Sequence, residues 1–594
     1  CSAPCFRWAR RTGTDRMTSL RPGLPHRLPA FFRSHLESLS GVGLLLGTLF
    51  FAASLTPTLV PRTYLTQGVL AGTCLAAGYG LGVLWHWLWA YLELPEPKAR
   101  AARITNALIT VLCLSVLVLF LWRAAEWQNT IRALMKMEPV TSAHPFKVSA
   151  TALITFAVLL ALGRLFKLLA RTLSAQVRRV VPRRVANVAG AAIAIVIFWS
   201  LANNVFFRAA LHVLDASFRE YDALIEPERP QPTDPAKTGS PDSLIAWKQL
   251  GRAGREYIAS GPSAREIRAQ TGRDALEPIR VYVGLPGAAT AQARARLALE
   301  ELKRVGAFKR SALVVVTPTG TGWIDPAAMD AVEYLLHGDV ASVAIQYSYL
   351  SSPLSLLAQP EYGAEAARAL FVEIYNHWTA LPKDQRPKLY LHGLSLGAMN
   401  SARSAELFEM IGDPIQGALW SGPPFESRVW RAITDARNPG SPAWLPELRD
   451  GAFVRFMNQD GSPVPADAPW GPMRIVYLQY ASDAVTFFDY RDLYRRPAWM
   501  DPPYGPDVSP DLRWVPVVTM LQLALDMSVS THTPIGYGHV YAPQHYVDAW
   551  LAVTGAPDWP ADALAGLKQH LMERTRAAMD DGDGKEAAYD NRGG

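Results

Sequence analysis

Five long apolar runs crowd the first 210 residues of this 594-residue chain, and they restrict its fold more than any other feature. They cover 41–60 (GVGLLLGTLFFAASLTPTLV), 65–92, 104–122, 148–169 and 185–207. A helix needs about 20 apolar residues to cross roughly 30 Å of hydrocarbon. So many runs of that length are poorly explained as buried helices of a soluble protein. The expected architecture is therefore a membrane domain over 41–214 with about five transmembrane helices. The second run ends in WHWLWAYL, a Trp/Tyr cluster suited to a membrane–water interface. The fourth carries Arg164 and Lys167 in its last turns, from where they can snorkel. The fifth contains AGAAIA, a small-residue face suited to close helix packing.

Charge divides the chain at the same place. Residues 1–214 hold 23 Lys and Arg against 6 Asp and Glu, and the remainder holds 36 against 46. A half that is both basic and apolar points to a bilayer and its lipids as partners. Its basic residues sit at the edges of apolar runs without a nucleic-acid-binding signature, so no nucleic acid is expected as a partner. Arg171, Arg178, Arg179, Arg183 and Arg184 cluster between the fourth and fifth runs. Lys98, Arg100 and Arg103 lie between the second and third, and Arg21, Arg27 and Arg33 precede the first. With five spans all three groups share one side, which the positive-inside rule makes cytoplasmic. The segment 1–40 would then be cytoplasmic and everything after 207 outside. Arg123, Arg132, Lys136 and Lys147, between the third and fourth runs, argue the other way. Met17 is a candidate start, and Arg10-Arg11 is not followed by the apolar stretch that a twin-arginine signal needs.

The four cysteines, Cys1, Cys5, Cys74 and Cys113, all precede residue 214. The second half can therefore hold neither a disulfide nor a cysteine metal site. It also lacks H-E-x-x-H and EF-hand patterns, so no metal and no cofactor are expected. The stretch 215–242, ending in EPERPQPTDPAKTGSPD, reads as a linker. From 243 to 575 short apolar strands alternate with helical stretches, the pattern of a mainly parallel sheet flanked by helices. Strands are expected at 279–285, 312–318, 340–349, 388–393, 416–422 and 474–480, and helices at 291–306, 363–378 and 396–410. Insertions are expected near 424–470 and 495–515. Their Trp430, Trp444, Trp499 and Trp514 would either line an apolar pocket, face the bilayer or pack the insertions' own core. The acidic end 576–594 reads as a disordered tail.

One motif carries the chemistry. Gly393-Leu394-Ser395-Leu396-Gly397 lies between a predicted strand and a predicted helix. That is the setting of a nucleophile elbow, in which a sharp turn projects a serine out of the sheet. Gly393 and Gly397 would pack backbone against backbone, and the Leu396 N–H would start the helix near the reacting carbonyl. A carboxylate should follow a later strand, where Asp483 stands; Asp489 and Asp492 fall too far into the next segment. A histidine should follow in a loop. His539, after Gly536-Tyr537-Gly538, suits this best. His545 begins a helix and reads as structural, as does His392 inside its strand, and His532 is a distant alternative. A second oxyanion donor would come from TPTGTGW, where Thr319, Gly320 and Thr321 all qualify.

PIRVYVGL, TPTGTGW, LHGLSLGAMNS, YLQYASDAV, GYGHVY and the opening segment DSLIAWKQLGRAGREYIASGP together resemble a bacterial membrane-anchored α/β-hydrolase family. In that family a multi-span N-terminal region precedes the hydrolase domain. The resemblance implies a serine-hydrolase fold with Ser395, Asp483 and His539 as triad, in the bacterial plasma membrane, and it supplies no substrate. The chain departs from the general fold by lacking a clear last strand between Asp483 and His539, where 512–518 (LRWVPVV) is a candidate stand-in. The expected function is hydrolysis of an ester of a lipid or envelope component. The alternatives are a non-catalytic lipid sensor or scaffold, and a peptidase or acyltransferase using the same triad.

Overall fold

The computed structural model describes residues 39–594 apart from 96–98, 202–207, 228, 359, 557–558 and 591–594. Met17, Cys1, Cys5, Arg21, Arg27, Arg33 and Lys98 lie outside the described residues. The membrane half contains helices α1 (Gly41–Ser54), α2 (Tyr64–Tyr91), α3 (Ala99–Leu134), α4 (Pro145–Val177) and α5 (Arg183–Ser200). By length and composition, α2 to α5 can each cross a membrane, and α1, with 14 residues, is shorter. The expected first span, 41–60, is thus corrected to a short helix followed by an extended segment. Pro57 and Pro61 explain it: proline lacks a backbone donor and disfavours helix in the residue before it. The expected fifth span, 185–207, is helical through Ser200, with 202–207 outside the described residues.

Small residues set the packing of the bundle. A Cβ on Gly78 would lie 2.5 Å from the Leu46 carbonyl oxygen, and one on Gly72 would lie 2.5 Å from that of Ala152. Glycine therefore lets α2 approach both α1 and α4 closely, the usual means of helix association in lipid.

Helix α6 (Arg208–Ala223) replaces the start of the expected linker. The rest of 215–242 lies on the sheet domain, where Thr238 and Ser240 are buried and Thr238 donates to the Arg280 carbonyl. Among the described residues of this stretch, burial is confined to 238–240, and the prolines Pro227, Pro230, Pro235 and Pro241 stay exposed.

The second half is built on a seven-stranded, fully parallel sheet in the order β1-β3-β2-β4-β5-β7-β6. The strands are β1 (Ile279–Val283), β2 (Ala312–Thr317), β3 (Val340–Ile345), β4 (Lys388–Leu394), β5 (Gly417–Ser421), β6 (Val454–Met457) and β7 (Arg474–Leu478). Continuous apolar runs such as ALVVVT are buried along their whole length because helices cover both faces. Helices α7 (Ala291–Arg304), α8 (Pro326–Leu335) and α9 (Pro360–Ala380) join α10 (Leu396–Ser404) in that cover. Strand β6 lies inside the expected insertion 424–470 and takes the edge beside β7. No strand forms at 512–518, which instead leads into α11 (Val518–Val529). The chain ends in α12 (Pro543–Thr554) and α13 (Ala561–Asp590). The expected disordered tail from 576 is therefore helical as far as Asp590.

The two halves are stitched together. Leu59 and Val60, from the segment after α1, and Ile131 and Met135, from the end of α3, join the same buried cluster as the sheet. Arg62 forms a fully buried ion pair with Asp526 of α11, at 2.6 Å. Gln522 of α11 donates to the carbonyls at the end of α1.

Candidate active site

Strand β4 ends at Leu394 and helix α10 begins at Leu396, leaving Ser395 as the whole connection. Its φ of 56° and ψ of −125° lie far from ordinary serine conformations. Backbone strain of this kind persists only where the surroundings enforce it. Here the neighbouring backbones do so. A Cβ on Gly393 would lie 2.3 Å from the Gly397 carbonyl carbon, and one on Gly397 would lie 2.2 Å from the Thr317 carbonyl oxygen. The two glycines thus admit the elbow and let it press against the end of β2. Ser395 donates its own N–H to the Ser421 carbonyl at the end of β5 (2.9 Å).

Asp483 and His539 are brought together. Asp483 follows β7, is fully buried, and its Oδ2 lies 2.7 Å from His539 Nδ1. The same carboxylate accepts from the Tyr541 hydroxyl at 2.7 Å, the Val485 N–H at 2.9 Å and the Thr486 hydroxyl at 3.3 Å. Burial and the Asp483 charge push the Tyr541 hydroxyl well above its ordinary pKa, so it remains a donor. In neutral His539 the bond to Asp483 assigns the proton to Nδ1 and leaves Nε2 an acceptor. Among the described residues, Nε2 is buried without a hydrogen-bond partner. Ser395 and His539 meet around the end of β5: Ser421 binds the elbow, and a Cβ on the next residue, Gly422, would lie 2.7 Å from His539 Cε1. No hydrogen bond joins Ser395 to His539 among the described residues.

Two further residues hold this pair. Asp507, fully buried in the second insertion, accepts from Ser482 N–H and Oγ and from Gln459 Nε2. Ser482 Oγ in turn accepts the Gly538 N–H at 2.9 Å. One carboxylate therefore ties the residue before Asp483 to the residue before His539. Sequence reasoning missed Asp507, which has no local signature, and Tyr541, whose only cue is its place two residues after His539. His539 N–H also donates to the Ser530 carbonyl just beyond α11.

The alternatives are placed elsewhere. His545 binds the Tyr480 hydroxyl at 2.6 Å, and burial pushes its imidazole down to about 4. His392 binds the Leu419 carbonyl and is likewise pushed down to about 4 by burial. His532 is exposed. Asp489 pairs with Arg491, and burial pushes Asp492 up to about 7. Of the expected oxyanion donors, the Thr319 N–H is taken by the Trp323 carbonyl and the Gly320 N–H by Ser352 Oγ. Leu396 N–H, first in its helix, has no intrahelical carbonyl to bind.

A cavity of about 500 Å³ separates the two insertions and is lined by Phe425, Trp430, Thr434, Phe487, Arg495 and Trp499, among others. Its lining reaches Thr486 beside Asp483 but includes neither Ser395 nor His539. The tryptophans are mostly core. Trp430, Trp444 and Trp499 are buried with their indole N–H groups bonded, and Trp514 is half-buried on the Asp492 carbonyl.

A parallel sheet with a strained serine elbow after its central strand and a His–Asp pair at the same edge defines a hydrolase-fold protein. Residues 279–567 match an alpha/beta-hydrolase family, and residues 55–262 match the N-terminal region of an alpha/beta-hydrolase family. The chain belongs to this alpha/beta-hydrolase family, with a membrane-anchored region of apolar helices ahead of the hydrolase domain. No curated protein and no solved structure matches it.

Proposed function

We propose that the protein is a membrane-anchored serine hydrolase that cleaves an ester of a lipid or cell-envelope component. One observation carries the reading: a serine on strained backbone sits at the same end of the sheet as a histidine whose Nδ1 is held by a buried carboxylate and whose Nε2 has no hydrogen-bond partner among the described residues. In the reaction His539 Nε2 takes the Ser395 proton as Oγ attacks the ester carbonyl, and Asp483 stabilises the imidazolium. The Leu396 N–H holds the oxyanion. Since Thr319 and Gly320 have spent their N–H groups, Thr321 is the candidate second donor from that loop. His539 then returns the proton to the leaving alkoxide, and water releases the acyl group from Ser395.

The same reading puts the hydrolase domain on the extracytoplasmic side. The α2 N-terminus and the α3 C-terminus both adjoin the hydrolase domain, so the turns near 95 and 180 lie at the opposite end. Those turns are flanked by Arg100 and Arg103, and by Arg178, Arg179, Arg183 and Arg184, which favour the cytoplasm.

Membranes carrying the native protein and Ser395→Ala should be compared for labelling by a fluorophosphonate. Labelling of the native chain alone is expected. Equal labelling of both refutes Ser395 as nucleophile, and labelling of neither favours a non-catalytic lipid sensor or scaffold. A chain-length panel of esters then narrows the substrate, and an acceptor other than water would mark an acyltransferase.

A further inference from the structure

We propose that the segment 490–496 of the hydrolase domain, YRDLYRR, rests in the headgroup layer of the bilayer and makes the domain a second, interfacial anchor for an anionic leaflet. Helix α2 supplies the ruler. Its far end carries exposed Trp85, Trp87, Trp89 and Tyr91, the composition of an interfacial aromatic belt. About 20 residues of helix span the hydrocarbon, so the near boundary falls roughly at residues 65–71 of α2.

Helix α11 reaches that level. Asp526, near its end, binds Arg62 just before α2 begins. Eight residues earlier, Val518 is buried with Leu70 and Cys74 of α2, and Val515, Leu521 and Leu525 pack beside them. Cys74 lies about 15 Å along α2 from Tyr64. The start of α11 therefore points into the bilayer, and the Asp526 end points out of it.

The segment 490–496 is fastened to that membrane-ward end. The Val517 N–H donates to the Leu493 carbonyl at 2.8 Å, and Trp514 Nε1 to the Asp492 carbonyl at 3.0 Å. At this level the chain displays Tyr490 (60% exposed), Leu493 (38%) and Tyr494 (67%), beside exposed Arg495 and Arg496. In water such a patch leaves three large apolar side chains uncovered. At a headgroup boundary the rings and the leucine enter the acyl edge and Arg495 meets lipid phosphates, with Arg496, held by Asp501 and the Met500 carbonyl, adding its charge beside it. The occupant is the leaflet itself, because the patch continues the contact that α11 already makes with α1 and α2.

The test uses the full chain in vesicles. Cys1, Cys5 and Cys113 are replaced by Ser and the buried Cys74 is kept. A nitroxide is then placed at Tyr494→Cys, at Tyr490→Cys or, as reference, at exposed Asp562→Cys on α13. In phosphatidylglycerol vesicles the ratio of oxygen to nickel-chelate collisions should be at least about twofold higher at 490 and 494 than at 562. Equal ratios at the three sites overturn the proposal. Adding Arg495→Glu with Arg496→Glu should lower the ratio at 490 in phosphatidylglycerol but not in phosphatidylcholine. The same fall in both lipids, or none in either, overturns the anionic preference. Because the readout is depth, it is independent of whether Ser395 is catalytic.

Discussion

The membrane half and the hydrolase half turn their large apolar side chains in opposite directions. Trp122 is 84% exposed and Phe146 89%, while Trp550 and Tyr546 in the hydrolase half are fully buried. The first arrangement is stable only with lipid as solvent, where helices associate through close packing of small residues. The second is an ordinary water-driven core. The difference teaches that composition marks the solvent and not the unit of folding. Residues 55–62 belong by composition to the membrane half, yet Leu59 and Val60 sit in the hydrolase core.

The ion pair between Arg62 and Asp526 offers the largest break in that comparison. Asp526→Ala leaves a buried guanidinium without its partner, at a cost of about 3–5 kcal/mol. The hydrolase domain should then melt earlier in nanodiscs, and Arg62→Leu combined with Asp526→Leu should recover part of the loss. An unchanged melting temperature in Asp526→Ala would mean that the halves are stable independently.

His545 sharpens the contrast, since its titration belongs to the hydrolase half alone. Burial, helped by the Lys568 charge, pushes its imidazole down to about 4, whereas the unfolded chain takes up the proton below about 6.5. With the folded value the lower one, this group withdraws stability as pH falls from about 6.5 to about 4, in total about 3 kcal/mol. His545→Gln should flatten the fall in melting temperature across that window while fluorophosphonate labelling at pH 7 persists. Loss of labelling only in His545→Gln, and not in His539→Gln, would reverse the assignment of the base.

What could be read from the sequence follows from how local each signal is. The strand–serine–helix elbow is local, so Ser395, Gly393 and Gly397 were legible, and the six expected strands formed because their apolar runs are short and punctuated. Asp483 and His539 were legible as chain-order partners. Strand β6 was not, because Val454–Met457 is four residues inside a segment dominated by Pro and Trp. It takes the sheet edge beside β7, while 512–518, the stand-in considered for a last strand, leads into α11. Asp507 was hidden for a different reason. Its importance comes from contacts with Ser482 and Gln459, 25 and 48 residues away, which no periodicity announces.

In the membrane half, Gly78→Ala is the matched test of packing. The new Cβ would lie 2.5 Å from the Leu46 backbone oxygen, which cannot swing aside as a side chain could. Helices α1 and α2 must separate, costing about 1–3 kcal/mol. Faster proteolysis within 39–92 is expected with little change in Ser395 labelling. A collapse of labelling would show that the bundle controls the site more tightly than the ion pair does.

The smallest effect should come from Asp507→Asn. The amide keeps the shape of the carboxylate but replaces charge-assisted bonds to Ser482 and Gln459 with neutral ones, a change of about 1 kcal/mol. Because Ser482 Oγ also holds the Gly538 N–H, that loss loosens the spacing of Asp483 and His539 and not the fold as a whole. We expect kcat on a soluble ester to fall roughly fivefold, with KM and melting temperature nearly constant. A fall in melting temperature with kcat unchanged would make Asp507 a structural anchor of the insertion. A fall in kcat alone makes it the positioning residue through which an insertion unmarked by any motif reaches Asp483 and His539.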